Sequence, residues 1–315
     1  MGKYVFGVDV GGTSIKFGLF QVTGELVEKF SIDTNAKEGG RHLLPDVSQA
    51  ILNKLVGHGL TLDDVKGVGV GVPSPVTDAG VALIGPNINW KEPVPVKEIL
   101  MNLLQLPVYV ANDANLAALG ELWLGAAKGK TSVVLLTLGT GVGGGIVVDG
   151  KIVNGAGGAG GEVGHLVTVT KDGALCGCGK FGCLETVASA TGIIRLAKAQ
   201  LSNFKGESVL KRVDHMQAKD VFDGAIADDA FCLELVNQVG DYLGMTCANL
   251  AVTINPEVFI LGGGVSQAGD VLLDAVSTHY EAYAFSSVKG TPFNLATLGN
   301  DAGMVGGAYL AMCGE

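Results

Sequence analysis

Four residues close together in the chain carry the side chains of a closed metal shell. His165 ends the run Glu162-Val-Gly-His165, and Cys176, Cys178 and Cys183 follow in Cys176-Gly-Cys-Gly-Lys-Phe-Gly-Cys183-Leu-Glu185. One imidazole and three thiolates match the tetrahedral set that holds structural Zn²⁺ and leaves no position for a catalytic water. The plainer alternative takes the cysteines as ordinary residues of a glycine-rich loop. One ring nitrogen of His165 serves the metal, and the other remains for a ligand or an outer partner. Glu162 and Glu185 bracket the four, and carboxylates accept hydrogen bonds from paired sugar hydroxyls. A pinned loop between two acids reads as a grip on a polyhydroxylated molecule, against the alternative of solvated loop acids.

A second group of residues suits phosphate. Glycine turns let backbone N–H groups converge on oxygen because no Cβ stands in the way. Three such turns occur, at Gly11, Gly12 and Thr13, at Gly139, Thr140 and Gly141, and at Gly262, Gly263 and Gly264. A lone copy also marks an ordinary hairpin, and none is a P-loop, since no Gly-Lys-Ser or Gly-Lys-Thr occurs. Asp9, directly before the first turn, suits Mg²⁺ held through water, or else caps the turn. Lys16, in the strand after that turn, belongs to the same group. Asp113 follows a strand and opens a helix. It is the candidate general base for moving a phosphoryl group onto an alcohol, with Asn112 fixing the acceptor through its amide. Asn and Asp also favour helix N-caps, and spacing alone leaves that contest even.

The elements that must position these residues alternate between strand and helix patterns. Strands are expected at Tyr4–Val10, 15–22, Leu26–Asp33, 68–72, 108–111, Val133–Leu138, 144–148 and 257–261. Helical periodicity marks 43–56, Val96–Leu104, 116–125, 186–199, 230–252, 271–284 and 302–312. Such alternation implies an α/β sheet architecture. Asp9-Val-Gly-Gly-Thr-Ser-Ile-Lys16 and Thr137-Leu-Gly-Thr-Gly-Val-Gly-Gly144 repeat one plan of strand, glycine turn and strand. The seam is expected at Asn112-Asp113. Residues 1–112 then form a first α/β domain, joined by a C-terminal helix at about 301–315, and 113–300 form a larger one carrying the cysteine loop.

Composition narrows the partners. At 315 residues and 48% hydrophobic, the chain can bury two cores sharing a cleft. A net charge of −10 argues against a general nucleic-acid surface, though not against ATP, which backbone N–H groups and a metal can hold. No apolar run reaches the roughly 18 residues of a membrane helix. The start of the chain carries no basic-then-apolar leader, so a cytoplasmic protein is expected. Cys232, Cys247 and Cys313 lie apart in apolar helical patterns and are expected in the core.

These motifs resemble the ROK family, which joins bacterial sugar kinases with sugar-sensing repressors. The resemblance runs from Asp9-Val-Gly-Gly-Thr13 to Leu298-Gly-Asn-Asp-Ala-Gly303 and is most specific across residues 162–165 and 176–185. It implies an actin-like, hexokinase-type fold of two α/β domains with an interdomain cleft, ATP with Mg²⁺ as donor, and structural Zn²⁺. It implies Asp113 as catalytic base and Asn112, Glu162, His165 and Glu185 as sugar ligands, with Asn87 in Pro86-Asn-Ile-Asn-Trp90 as a further sugar contact. His165, Cys176, Cys178 and Cys183 would bind the zinc. Glucose is the expected substrate and phosphorylation of its 6-hydroxyl the expected reaction. The alternative is a kinase for N-acetylmannosamine, N-acetylglucosamine or fructose. A repressor is disfavoured, because the first strand begins at Tyr4 without a helix-turn-helix ahead of it. The family also implies a homodimer or higher homo-oligomer. One departure bears on sugar preference: Pro73-Ser-Pro-Val-Thr77 stands where relatives read Pro-Gly-Pro-Val-Asp.

Overall fold

The computed structural model describes residues 2–314. The chain runs through β1 (Tyr4–Val10), β2 (Ser14–Gln21), β3 (Leu26–Asp33), a kinked turn of helix α1 (Lys37–Gly40), α2 (Leu43–Gly57), β4 (Val65–Val72), α3 (Val96–Leu104), β5 (Val108–Asn112) and α4 (Asp113–Trp123). It continues as β6 (Val133–Leu138), β7 (Val142–Val148), β8 (Lys151–Ile152), α5 (Glu185–Ala188), α6 (Ala190–Leu201), α7 (Ala218–Ile226) and α8 (Ala230–Ile254). β9 (Val258–Gly262), α9 (Asp270–Tyr283), β10 (Phe293–Leu295) and α10 (Ala302–Cys313) complete it.

Two five-stranded sheets result, ordered β3-β2-β1-β4-β5 and β10-β9-β6-β7-β8. Read from the other end, the second sheet repeats the plan of the first: a glycine-turn hairpin, a third strand outside it, and two later strands on the far side. In the first sheet β1–β2 and β2–β3 are antiparallel, whereas β1–β4 and β4–β5 are parallel. The chain is therefore α/β with mixed sheets, the class expected for the actin-like two-domain fold.

The first compact unit comprises Met1–Gly129, Gly145–Gly161 and Thr297–Glu315. In β1, Phe6, Val8 and Val10 enter a core with Val47 and Ile51 of α2 and Leu100 and Leu104 of α3. Val5 faces the other way and packs with Met304, Val305 and Ala308 of α10. A strand buried on both faces is what its apolar text, interrupted only by Asp9, dictates. Each such fully buried side chain contributes about 1.5–3 kcal/mol of transfer free energy, so these layers dominate the unit's stability. The second unit comprises Lys130–Gly144 and Glu162–Ala296, in which β6 and β9 run parallel and the long α8 packs against α9.

Three expectations change. The helix anticipated over 186–199 is two helices, broken at Ser189, whose extended backbone (φ −77°, ψ 164°) lets its side chain accept the Gly192 N–H as the cap of α6. Cys313 is exposed, because α10 ends there and the chain turns off at Gly314 in a left-handed conformation; Cys232 and Cys247 are buried. Residues 113–129 and 145–161 fall in the first unit, whereas a seam at Asn112-Asp113 assigns them to the second. Among the described residues no helix is long and apolar enough to cross a membrane.

Candidate functional site

In the first unit, β5 ends at Asn112 and α4 begins at Asp113. Asn112 has extended backbone (φ −63°, ψ 146°), and its Oδ1 accepts the N–H groups of Ala114 at 2.9 Å and Asn115 at 3.3 Å. The capping task thus falls to Asn112, and Asp113 takes the first helical position, its Oδ1 accepting the Ala114 N–H at 2.8 Å. The Asn112 amide donates to the Ser74 carbonyl at 3.3 Å, which ties this corner to the loop after β4. Ser74 is buried and its hydroxyl donates to the Pro75 carbonyl at 3.0 Å. The side chain that departs from the family pattern is therefore turned into its own loop.

The turn at Gly11, Gly12 and Thr13 joins β1 to β2. Thr34 braces it: the Thr34 hydroxyl donates to the Gly11 carbonyl at 2.6 Å and its N–H donates to the Thr13 carbonyl at 3.0 Å. No motif marks Thr34, which only the β2–β3 pairing brings alongside. A Cβ on Gly12 would stand 3.0 Å from the Asn87 carbonyl oxygen, so the structure brings Asn87 over this turn. Asp9 sits on β1, with burial raising its carboxyl above the ordinary 3.8, Lys16 opposing that rise and Asp301 adding to it. Room for the carboxyl comes from Gly303 of α10, where a Cβ would approach it to about 3.0 Å. Lys16 directs its ammonium to the Asn300 carbonyl at 2.8 Å.

The second unit brings together two glycine turns, the cysteine loop and two of the acids. The turn at Gly262, Gly263 and Gly264 lies against the end of β6, since a Cβ on Gly263 would stand 2.5 Å from the Leu138 carbonyl oxygen. Glu185 lies close over Gly141: its Oε2 would stand 2.3 Å from a Cβ there, so a larger residue would push that carboxylate aside. That oxygen accepts the Val142 N–H at 3.2 Å, while Oε1 lies 3.5 Å from the Cys176 sulfur. The Glu162–His165 corner packs against the same strand, because Gly164 permits contact with the Val142 carbonyl. Glu185 is thus no solvated loop acid: its two oxygens bridge the Gly139–Thr140–Gly141 turn and the cysteine loop.

His165, Cys176, Cys178 and Cys183 have their ligand atoms all within 4.8 Å of one another, an arrangement that can hold a metal ion. His165 turns Nδ1 toward the Cys176 sulfur at 3.6 Å, and the Cys178 and Cys183 sulfurs are also 3.6 Å apart. Two isolated bridges, Val167 with Cys183 and Leu175 with Phe181, fold the loop back on itself. Burial pushes the Cys176 thiol up to about 12 and raises Cys183, whereas the Lys180 backbone N–H lowers Cys178. Left to the protein alone, the two buried thiols keep their protons; a bound cation is what would draw those protons off.

A sequence profile of the ROK family matches residues 5–313. The chain is 46% identical to the glucokinase of Halalkalibacterium halodurans over 98% of its own length and 94% of that protein's. A crystal structure of a ROK family glucokinase from Streptomyces griseus in complex with glucose and AMPPNP has a TM-score of 0.73 and 33% identity, covering 98% of each chain. The ROK hexokinase of Thermus thermophilus has a TM-score of 0.79 at 33% identity, with 97% of each chain covered. With a family profile matched over residues 5–313 and 46% identity to a glucokinase over nearly its whole length, this chain belongs to the ROK family.

Proposed function

We propose that the chain is an ATP-dependent glucokinase that transfers the terminal phosphoryl group of ATP to the 6-hydroxyl of glucose. The observation that carries this reading is near-full-length identity of 46% to a glucokinase in a chain whose helix cap is Asn112 and not Asp113. Asp113 is then the general base. As the hydroxyl oxygen bonds to the terminal phosphorus, the bond from that phosphorus to the ADP oxygen breaks and the hydroxyl proton passes to the Asp113 carboxylate. Asn87, Asn112, Glu162, His165 and Glu185 hold the sugar hydroxyls. Glu185 brings a carboxylate already fixed by the Val142 N–H, so little ordering remains to be done on binding.

The phosphate side is assigned to Asp9, Gly11, Gly12, Thr13 and Lys16 in the first unit and to the turns at 139–141 and 262–264 in the second. The half-buried carboxyl of Asp9 is an oxygen donor of the kind Mg²⁺ prefers, directly or through water. Mg²⁺ carried with ATP would supply charge neutralisation on the phosphates. His165, Cys176, Cys178 and Cys183 fit Zn²⁺. Two Zn–S bonds of about 2.3 Å at a tetrahedral angle put sulfurs about 3.8 Å apart, close to the 3.6 Å separation of Cys178 and Cys183. A shell closed by four protein ligands holds the loop, and with it the flanking acids, in place. A cytoplasmic homo-oligomer completes the proposal.

A coupled assay with ATP, Mg²⁺ and a panel of glucose, N-acetylmannosamine, N-acetylglucosamine, fructose and mannose tests the reading. Glucose should give the highest kcat/KM, and the freshly purified active protein should hold about one zinc per chain, as a closed four-ligand site requires. Another hexose leading the panel would replace the substrate, and metal analysis finding no zinc in active protein would remove the cage.

A further inference from the structure

The turn at 139–141 is held from behind by the corner where α5 meets α6. The Ala190 N–H donates to the Gly139 carbonyl at 2.8 Å, and the Thr191 hydroxyl donates to the Thr140 carbonyl at 2.9 Å. Beneath Thr191, the Ser189 hydroxyl lies 3.0 Å from the Thr191 oxygen and donates to the Glu185 carbonyl at 2.7 Å. The Gly139 N–H closes the turn by donating to the Gly141 carbonyl at 2.9 Å. Two consecutive carbonyls of the turn are therefore pulled toward α6.

That pull has a consequence for the donors. A trans peptide is planar, so its N–H points opposite to its C=O. Pinning the Gly139 carbonyl toward Ala190 aims the Thr140 N–H away from α6, and pinning the Thr140 carbonyl toward Thr191 aims the Gly141 N–H the same way. Neither N–H has a protein acceptor among the described residues. Two adjacent N–H groups aimed outward from a glycine turn form a concavity suited to phosphate oxygen. Their direction is set by a side-chain hydroxyl that sequence reasoning did not single out.

We infer that Thr191 is a positioning residue for the phosphoryl donor: its hydroxyl orients the Thr140–Gly141 peptide so that the Gly141 N–H meets a phosphate oxygen of ATP. The inference rests on reading the chain as an ATP-dependent hexose kinase. Thr191→Val keeps the side-chain shape and removes the hydroxyl, while Thr191→Ser keeps the hydroxyl. Losing one modest hydrogen bond corresponds to a weakening of about fivefold. With the full chain, Thr191→Val should raise the KM for ATP by about that factor, leave the hexose KM and the melting temperature in place, and Thr191→Ser should restore wild-type values. A calorimetric titration with a non-hydrolysable ATP analogue reads the same effect without turnover. Ser189→Ala, which removes the hydroxyl beneath, gives a second route should Thr191→Val not fold. Equal nucleotide affinity in wild type and Thr191→Val would overturn the assignment, as would parallel rises in both KM values with a lowered melting temperature. A wild-type chain that binds the analogue but transfers no phosphoryl group to any hexose would instead sink the kinase reading and leave Thr191 testable.

Discussion

At the scale of single residues, Asn112 and Asp113 divide two tasks that their side chains could each have performed. Both are favoured helix caps, and nothing in the order Asn-Asp says which one caps. Backbone geometry settles it: the extended residue is Asn112, so its side chain reaches the N–H groups of Ala114 and Asn115, and Asp113 is the first helical residue. Asp113→Asn keeps the size of the side chain and removes the proposed base. It should lower kcat by about 10²–10⁴-fold, the usual contribution of general base catalysis, with hexose KM and thermal stability little changed; steady-state kinetics and a melting curve check this. Asn112→Ala should behave differently, since it uncaps α4 and also frees the Ser74 carbonyl. Glu185 shows the same limit of sequence reasoning. Its type and its distance from Cys183 were legible, whereas its bond to the Val142 N–H depends on a strand 43 residues earlier in the chain.

At the scale of elements, hydrophobic periodicity located β1, β3, α3 and β6 to the residue, because buried strands, the alternating half-buried and exposed residues of β3 and amphipathic helices write their faces directly into the sequence. It merged α5 and α6 because Thr186, Val187 and Ala188 run into Ala190 with no proline or glycine between them. Ser189 was the available signal, being a preferred N-cap. It missed β8 and β10, which are short edge strands with little apolar text. The entry into β6 rests on Glu257, just before β9, whose Oε2 accepts the N–H groups of Thr131 at 2.6 Å and Ser132 at 3.1 Å. Those bonds hold its carboxyl below the ordinary 4.5. A lowered folded value means the contribution is present above 4.5 and is lost as pH falls through that lowered value. Glu257→Gln should therefore destabilise the protein at pH 7 by no more than about 1 kcal/mol, given its exposure. The gap to wild type should close in acid, as melting curves across that range will read.

At the scale of the whole molecule, the repeated glycine turn signalled a repeated sheet plan, and both sheets carry it, in the orders β3-β2-β1-β4-β5 and β8-β7-β6-β9-β10. Within the first unit, α10 returns across β1, β4 and α4 at distances that only glycine allows. A Cβ on Gly306 would lie 1.7 Å from the Leu116 carbonyl oxygen, and one on Gly69 would lie 1.9 Å from that of Gly307. Gly306→Ala should consequently cost at least the roughly 1–3 kcal/mol typical of overpacking, read as a lower midpoint in urea denaturation with an unchanged slope. Buried Glu121 anchors the approach to α10, accepting the N–H groups of Thr297 at 3.0 Å and Leu298 at 2.8 Å. By itself the sequence determined the α/β class, the Cys/His set that can hold a metal ion and the residue types at the glycine turns, because periodicity, ligand chemistry and glycine spacing are local properties. Only the tertiary structure decided where Glu185 sends its oxygens, and that Thr34 and Thr191 brace the turns. Those outcomes depend on hydrogen bonds between segments far apart in the chain, whose partners are chosen by packing and leave no periodic trace.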